Sequence, residues 1–189
     1  DDAIVVCVYS RKIIVQPAPD RVIVTPINRD IITAGDHIEI RDIDDTVKGT
    51  ARVSTIQPVH RPDLAGKNRD IHERGGYPLP FPWTPEDFLE LKLDKAIPAQ
   101  FGDRIIALNS RNQGAVIRNN RIRGIRARGI KIRAADVLVE NNVVEDTTMS
   151  GIELAAEREL LLLGAPQENI VMRGNRIRNI SLYQNKGGH

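Results

Sequence analysis

Val116-Ile117-Arg118-Asn119-Asn120-Arg121-Ile122 returns as Leu138-Val139-Glu140-Asn141-Asn142-Val143-Val144, and again as Val171-Met172-Arg173-Gly174-Asn175-Arg176-Ile177. The first two copies stand 22 residues apart, counted from Asn119 to Asn141, and Gly129 to Gly151 repeats the step. A fixed period of this length marks a solenoid, in which each copy buries its apolar face only by stacking on the next. Within a copy, apolar and polar residues alternate, as in Gly129-Ile130-Lys131-Ile132-Arg133 and Gly151-Ile152-Glu153-Leu154. That is the period of a strand with one buried face. A helical repeat needs apolar residues three and four apart over ten or more positions, and the copies lack them. Asn suits the turns because its side chain bonds neighbouring main chain and it tolerates the left-handed region. A lone Asn-Asn turn in an ordinary sandwich is the competing reading, but the match runs from Asn119 to Ile132 and from Asn141 to Leu154. The expected fold is therefore all-β, a right-handed parallel β-helix.

Upstream, apolar runs at Ile4 to Val8, Lys12 to Val15 and Arg21 to Thr25 have the spacing of coil strands, which assigns residues 1–30 to the β-helix. From about residue 31 the pattern changes. Alternating runs at His37 to Arg41, Gly49 to Ile56, Phe88 to Leu93 and Phe101 to Leu108 are joined by turns, with Asp42 to Lys48 a hairpin connection. Residues 31–109 are expected to form a small antiparallel β-barrel inserted between coils, and residues 110–189 to return to coils. Arg61 to Asp87 lacks periodicity and is rich in Pro and Gly. Loops of this length carry function or stay unfolded. After residue 155 the third coil carries eleven extra residues, since Asn142 to Asn175 spans 33, and Glu157 to Leu163 has the pattern of a short helix.

With 189 residues, 41% of them hydrophobic, the chain is long enough to bury a sizeable core. Its 27 basic and 25 acidic residues leave a formal charge of +2, which gives no argument for nucleic acid or an anionic membrane as partner. Basic residues nevertheless concentrate between Arg118 and Arg133. They read either as a solvated outer face with pairing between coils or as a surface for a ligand. The single Cys7 excludes an internal disulfide and lies in an apolar run, as a small buried hydrophobe would. No apolar stretch is long enough to span a bilayer. The chain opens on Asp1-Asp2 without Met, so a segment of a longer protein, with coils upstream, is expected.

The four His and one Cys show no metal-ligand spacing, and no phosphate loop, dinucleotide fingerprint or nucleophile elbow is present. No metal or cofactor is expected, and the candidates for chemistry are carboxylates. Asp1-Asp2 stands at the mouth of a coil strand, where the two side chains reach one cleft only if the backbone bends. Asp44-Asp45 is an equal pair in a hairpin turn, where solvated Asp is usual. Glu153 aligns one coil above Lys131, which reads as a salt-bridge ladder. Tyr77, Phe81 and Trp83 lie in the Pro-rich loop, positioned either to stack on a sugar ring or to staple the loop down.

The order Asp1-Asp2-Ala3-Ile4, Ala34-Gly35-Asp36-His37-Ile38-Glu39, Val116-Ile117-Arg118-Asn119-Asn120, Arg126-Ala127-Arg128-Gly129-Ile130 and Val137-Leu138-Val139-Glu140-Asn141-Asn142 resembles the β-helical α-1,3-galactosidases. These enzymes remove terminal galactose from blood-group-B-type glycans. The resemblance runs from Asp1 to about Ser181. It implies an inverting, metal-independent glycoside hydrolase, with Asp1 and Asp2 as acid and base and a galactose-terminated glycan as partner. Where that pattern would bring an Asn and a His after the pair, this chain has Val5 and Cys7. Trp83, Tyr77, Arg126 and Arg128 are the candidates for holding the sugar. Secretion or a periplasmic location follows from such a function. Two other readings stand beside it: a non-catalytic β-helix that binds polysaccharide or serves as a scaffold, and a polysaccharide lyase whose coil Arg and Lys residues neutralise a uronate.

Overall fold

The computed structural model describes residues 2–25, 32–67, 84–110, 114–154 and 167–182, which fall into two compact units. Among them, residues 2–8, 114–154 and 167–182 make one unit and residues 9–110 the other. Trp83 and Tyr77, the rest of the aromatic loop from residue 68, and the helix expected over Glu157 to Leu163 lie outside the described residues, as does Asp1.

The first unit is a parallel β-helix. Strands β8 (Val116–Arg118), β11 (Leu138–Glu140) and β14 (Val171–Arg173) pair in register to form one sheet. A second sheet holds β9 (Arg121–Arg123), β12 (Val143–Glu145) and β15 (Arg176–Arg178). The third holds β1 (Ile4–Cys7), β10 (Ile130–Arg133) and β13 (Ile152–Leu154). Every pairing is parallel, and strands of three or four residues are all that a coil of 22 permits. Ile117, Ile122, Val139 and Val144 are buried, one apolar residue per short strand, stacked coil upon coil. The corners between strands are left-handed single residues. Asn119, Asn141 and Gly174 share one corner with φ of 57°, 54° and 63°; Gly124, Asp146 and Asn179 share the next. Only glycine, or a short polar side chain able to bond main chain, is comfortable at such φ.

The residue after the first corner is Asn in all three copies, and these side chains form a ladder. Asn142 Oδ1 accepts from the backbone N–H of Asn120 at 3.0 Å and from its Nδ2 at 2.9 Å. Asn142 Nδ2 donates to Ile117 O at 2.9 Å and to Asn175 Oδ1 at 3.0 Å. Asn142 is fully buried, and each polar atom of its amide is matched, as buried amides must be.

The second unit is a closed antiparallel barrel of strand order β2-β3-β6-β5-β4-β7. Its strands are β2 (Arg11–Ala18), β3 (Arg21–Val24), β4 (His37–Arg41), β5 (Val47–His60), β6 (Asp87–Leu93) and β7 (Arg104–Ala107). Ile38, Ile40, Leu91, Leu93 and Ile105 fill its interior. Asp42 closes the β4–β5 hairpin, its Oδ1 accepting from the N–H groups of Asp44 and Thr46.

Three expectations need correction. Residues 11–24 are barrel strands rather than coil strands: Ile13 faces Val24 across an antiparallel hairpin, and β2 and β3 bond onward to β7 and β6. A run of alternating apolar residues fixes a buried face but does not say whether its partner runs parallel or antiparallel. The coil segment at the start therefore ends at Val8, not near residue 30. Lys131 and Arg133 were expected on a solvated face, yet they are only 2% and 5% exposed. Arg118, Arg121, Arg123 and Arg126 are exposed as expected. Cys7 is partly rather than fully buried.

Candidate functional site

A cluster of charged residues sits at the sheet of β1, β10 and β13. Register sets the arrangement: Ile4, Ile130 and Ile152 align across the sheet, and so do Val5, Lys131 and Glu153. Alternation then puts Lys131 and Glu153 on the opposite face from the isoleucines.

Asp2 stands two residues before β1, and its Oδ1 accepts from the backbone N–H of Arg128 at 3.0 Å. The Arg128 guanidinium approaches the same oxygen, with Nη1 at 3.5 Å, and its Nε donates to Glu153 Oε2 at 2.6 Å. Lys131 Nζ lies 3.4 Å from Glu153 Oε1, and Ser150 Oγ donates to Oε2 at 3.2 Å. One guanidinium thus bridges two carboxylates that are 126 and 25 residues away from it in sequence. Burial alone would raise the Glu153 carboxyl, but the Arg128 hydrogen bond, the Arg128 charge and Lys131 outweigh it and hold the group below the usual carboxylate range. Glu153 is therefore ionised at neutral pH and is not a proton donor. Its role is to hold Arg128. The same contacts keep the Arg128 guanidinium above its usual range, led by the Glu153 hydrogen bond.

The salt-bridge ladder expected between Lys131 and Glu153 is present. What the sequence reading missed is that Arg128 ties this ladder to Asp2. No local signal gave it: β1 reads Ile-Val-Val-Cys and β10 Ile-Lys-Ile-Arg, and the 126 residues between Asp2 and Arg128 are not a whole number of 22-residue steps. Of the expected sugar-holding residues, Arg128 joins the cluster. Arg126 is exposed, and its main-chain carbonyl accepts from Thr148 Oγ1 one coil on. No group of three metal-ligating side chains occurs among the described residues.

Residues 100–188 match the family model described as a right handed beta helix region. The match begins just before the last barrel strand and spans the repeat, which agrees with the parallel sheets and gives the handedness. Comparison with curated proteins yields no match.

Proposed function

We propose that this protein is a carbohydrate-active β-helix protein, a glycoside hydrolase that removes terminal α-linked galactose by single displacement, with Asp1 and Asp2 as its working carboxylates. The observation that carries the reading is the position of Asp2 on the outer edge of the β1-β10-β13 sheet, beside Arg128. Its Oδ1 accepts from both the main chain and the guanidinium of Arg128. An acceptor held in this way suits the residue that takes a proton from water, which leaves protonation of the leaving oxygen to Asp1. Single displacement needs the two carboxyl groups roughly 6.5–9.5 Å apart, with water between one of them and the sugar. Arg128, fixed by Glu153, supplies donors that orient the water-activating carboxylate or a sugar hydroxyl. The order of motifs along the chain, which resembles the α-1,3-galactosidases, supports galactose as the sugar.

One observation favours a second reading, a β-helix that binds glycan without cleaving it. Val5 is in register with Lys131 and is 49% exposed, so the strand nearest the Asp pair offers an apolar side chain rather than a hydrogen-bonding one. The two readings separate in one experiment on the full-length protein: galactose release from α-1,3-galactosyl oligosaccharides, with the anomer of the released sugar followed by NMR. Hydrolysis with inversion that falls at least 100-fold in Asp1→Asn and in Asp2→Asn supports the first. Glycan binding without release, unchanged in both variants, supports the second.

A further inference from the structure

The β9-β12-β15 sheet carries an ordered grid of cations that the carboxylate site does not use. Arg121, Val143 and Arg176 align across the three coils, as do Arg123, Glu145 and Arg178. Ile122, Val144 and Ile177 alternate with them and take the inner face, so all four arginines project outward. Arg121, Arg123 and Arg178 side chains are 68%, 66% and 58% exposed, and Arg176 is exposed too. Adjacent coils are about 4.8 Å apart, so each arginine faces its mate across about 10 Å, and the two columns are separated by about 7 Å along the strands.

The centre of the grid is asymmetric. Between Arg123 and Arg178 sits Glu145, whose carboxylate is 5% exposed and lies 2.7 Å from Arg178 and 3.7 Å from Arg121. Between Arg121 and Arg176 sits Val143. Arg123 is held by Asp146 at the neighbouring corner, while Arg176 makes no ion pair among the described residues. Exposed pairs of this kind are worth little, and a guanidinium has five donors, so each arginine keeps donors for an incoming anion. Four cations against two acids leave the face positive.

We propose that this sheet binds a linear acidic polysaccharide running along the solenoid axis, with its carboxylates or sulfates on alternate sugars. The two-coil spacing of the arginines is roughly the length of a disaccharide in an extended chain. Alternation follows from the middle coil. An anion on every sugar would bring one charge against Glu145, whereas a neutral sugar there can set its apolar ring face on Val143. Planar forks of donors match carboxylate and sulfate oxygens. A single-stranded nucleic acid is the poorer fit, because it is held largely by aromatic stacking, and the sheet carries no aromatic residue. This binding face lies on a different sheet from Asp2 and does not depend on hydrolysis.

The test is affinity for hyaluronan oligosaccharides, which carry one carboxylate per disaccharide, measured calorimetrically on the full chain at low and at physiological salt. Binding that weakens with salt, is absent for a neutral galactan, and falls at least tenfold in Arg121→Gln/Arg176→Gln is the expected result. Both substitutions are at exposed positions, and an unchanged melting temperature verifies the fold. No binding at low salt, or equal binding by the variant, overturns the proposal. Tighter binding of polygalacturonate, charged on every sugar, overturns the alternation, and tighter binding of an oligonucleotide overturns the polysaccharide. Loss of galactosidase activity in Asp2→Asn leaves this binding intact, so the two claims fail separately.

Discussion

Asn142 shows how a single side chain sets the coil. It is fully buried, and its amide accepts from Asn120 in the coil below and donates both to Ile117 O in that coil and to Asn175 Oδ1 in the coil above. Asn142→Ala takes the Oδ1 acceptor from the Asn120 N–H and Nδ2 and the Nδ2 donor from Ile117 O, while Asn175 Oδ1 keeps the Asn142 backbone N–H. Each unsatisfied buried group costs about 1–3 kcal/mol. We expect a loss on the order of 3 kcal/mol, read from the denaturant midpoint, with Asn142→Asp no better because it keeps the acceptor and buries a charge. Gly129 makes a complementary point about space. A Cβ there would fall 2.5 Å from Gly151 O and closer still to Val144 Cγ1. The clash is with main chain one coil away, which cannot swing aside, so Gly129→Ala should cost about 1–3 kcal/mol by chemical denaturation. The glycine repeat was visible in the sequence, but its cause was not. It marks coils that stack too closely for a methyl group.

At the scale of elements, strand partners set by the coil period are legible in the sequence, and partners set by long-range closure are not. The pairing of β10 with β13, and of β8 with β11, could be written down from the 22-residue step alone. The assignment of β2 and β3 could not. Both have the alternation of coil strands, and only contacts with β7 and β6, some 70 to 90 residues away in sequence, draw them into the barrel. Closure removes every open strand edge, which gives such a sheet its reason to recruit two more strands. Leu91, buried at 0% exposure on β6, pairs with Val22 of β3 and Ile56 of β5. Leu91→Ala therefore leaves a cavity shared by three strands and should lower stability by about 2–5 kcal/mol, measured by urea unfolding.

At the scale of the whole molecule, acid should weaken both units through carboxylates that hydrogen bonds hold ionised. In the barrel, burial opposes ionisation of Asp36, but the Thr33 N–H, Asn109 and the Thr33 hydroxyl outweigh it; Asp87 is lowered chiefly by the Thr84 N–H, then by His60. In the coils, Arg123 and then Asn179 lower Asp146, and Glu153 is lowered in the cluster around Arg128. A folded-state pKa below the unfolded value means that the unfolded chain binds more protons as pH falls. The stabilisation is thus complete above the unfolded carboxylate range near pH 4 and is lost as pH falls through the lower folded values. Melting temperatures measured between about pH 6 and pH 3 should decline mainly below pH 5, and Asp36→Asn should flatten that decline. A melting temperature that rose on acidification would contradict the sign.

What the sequence determined by itself was the solenoid, because stacking identical coils makes the fold a property of a local repeat that one chain displays three times. The same repeat also determined which side chains share a column, including Lys131 with Glu153. Only the tertiary structure decided where the coil ends and the barrel begins, and that Arg128 bridges Asp2 to Glu153. Both depend on closing loops of about a hundred residues, and no local pattern specifies which of several chemically equal strand partners or carboxylates is met when such a loop closes.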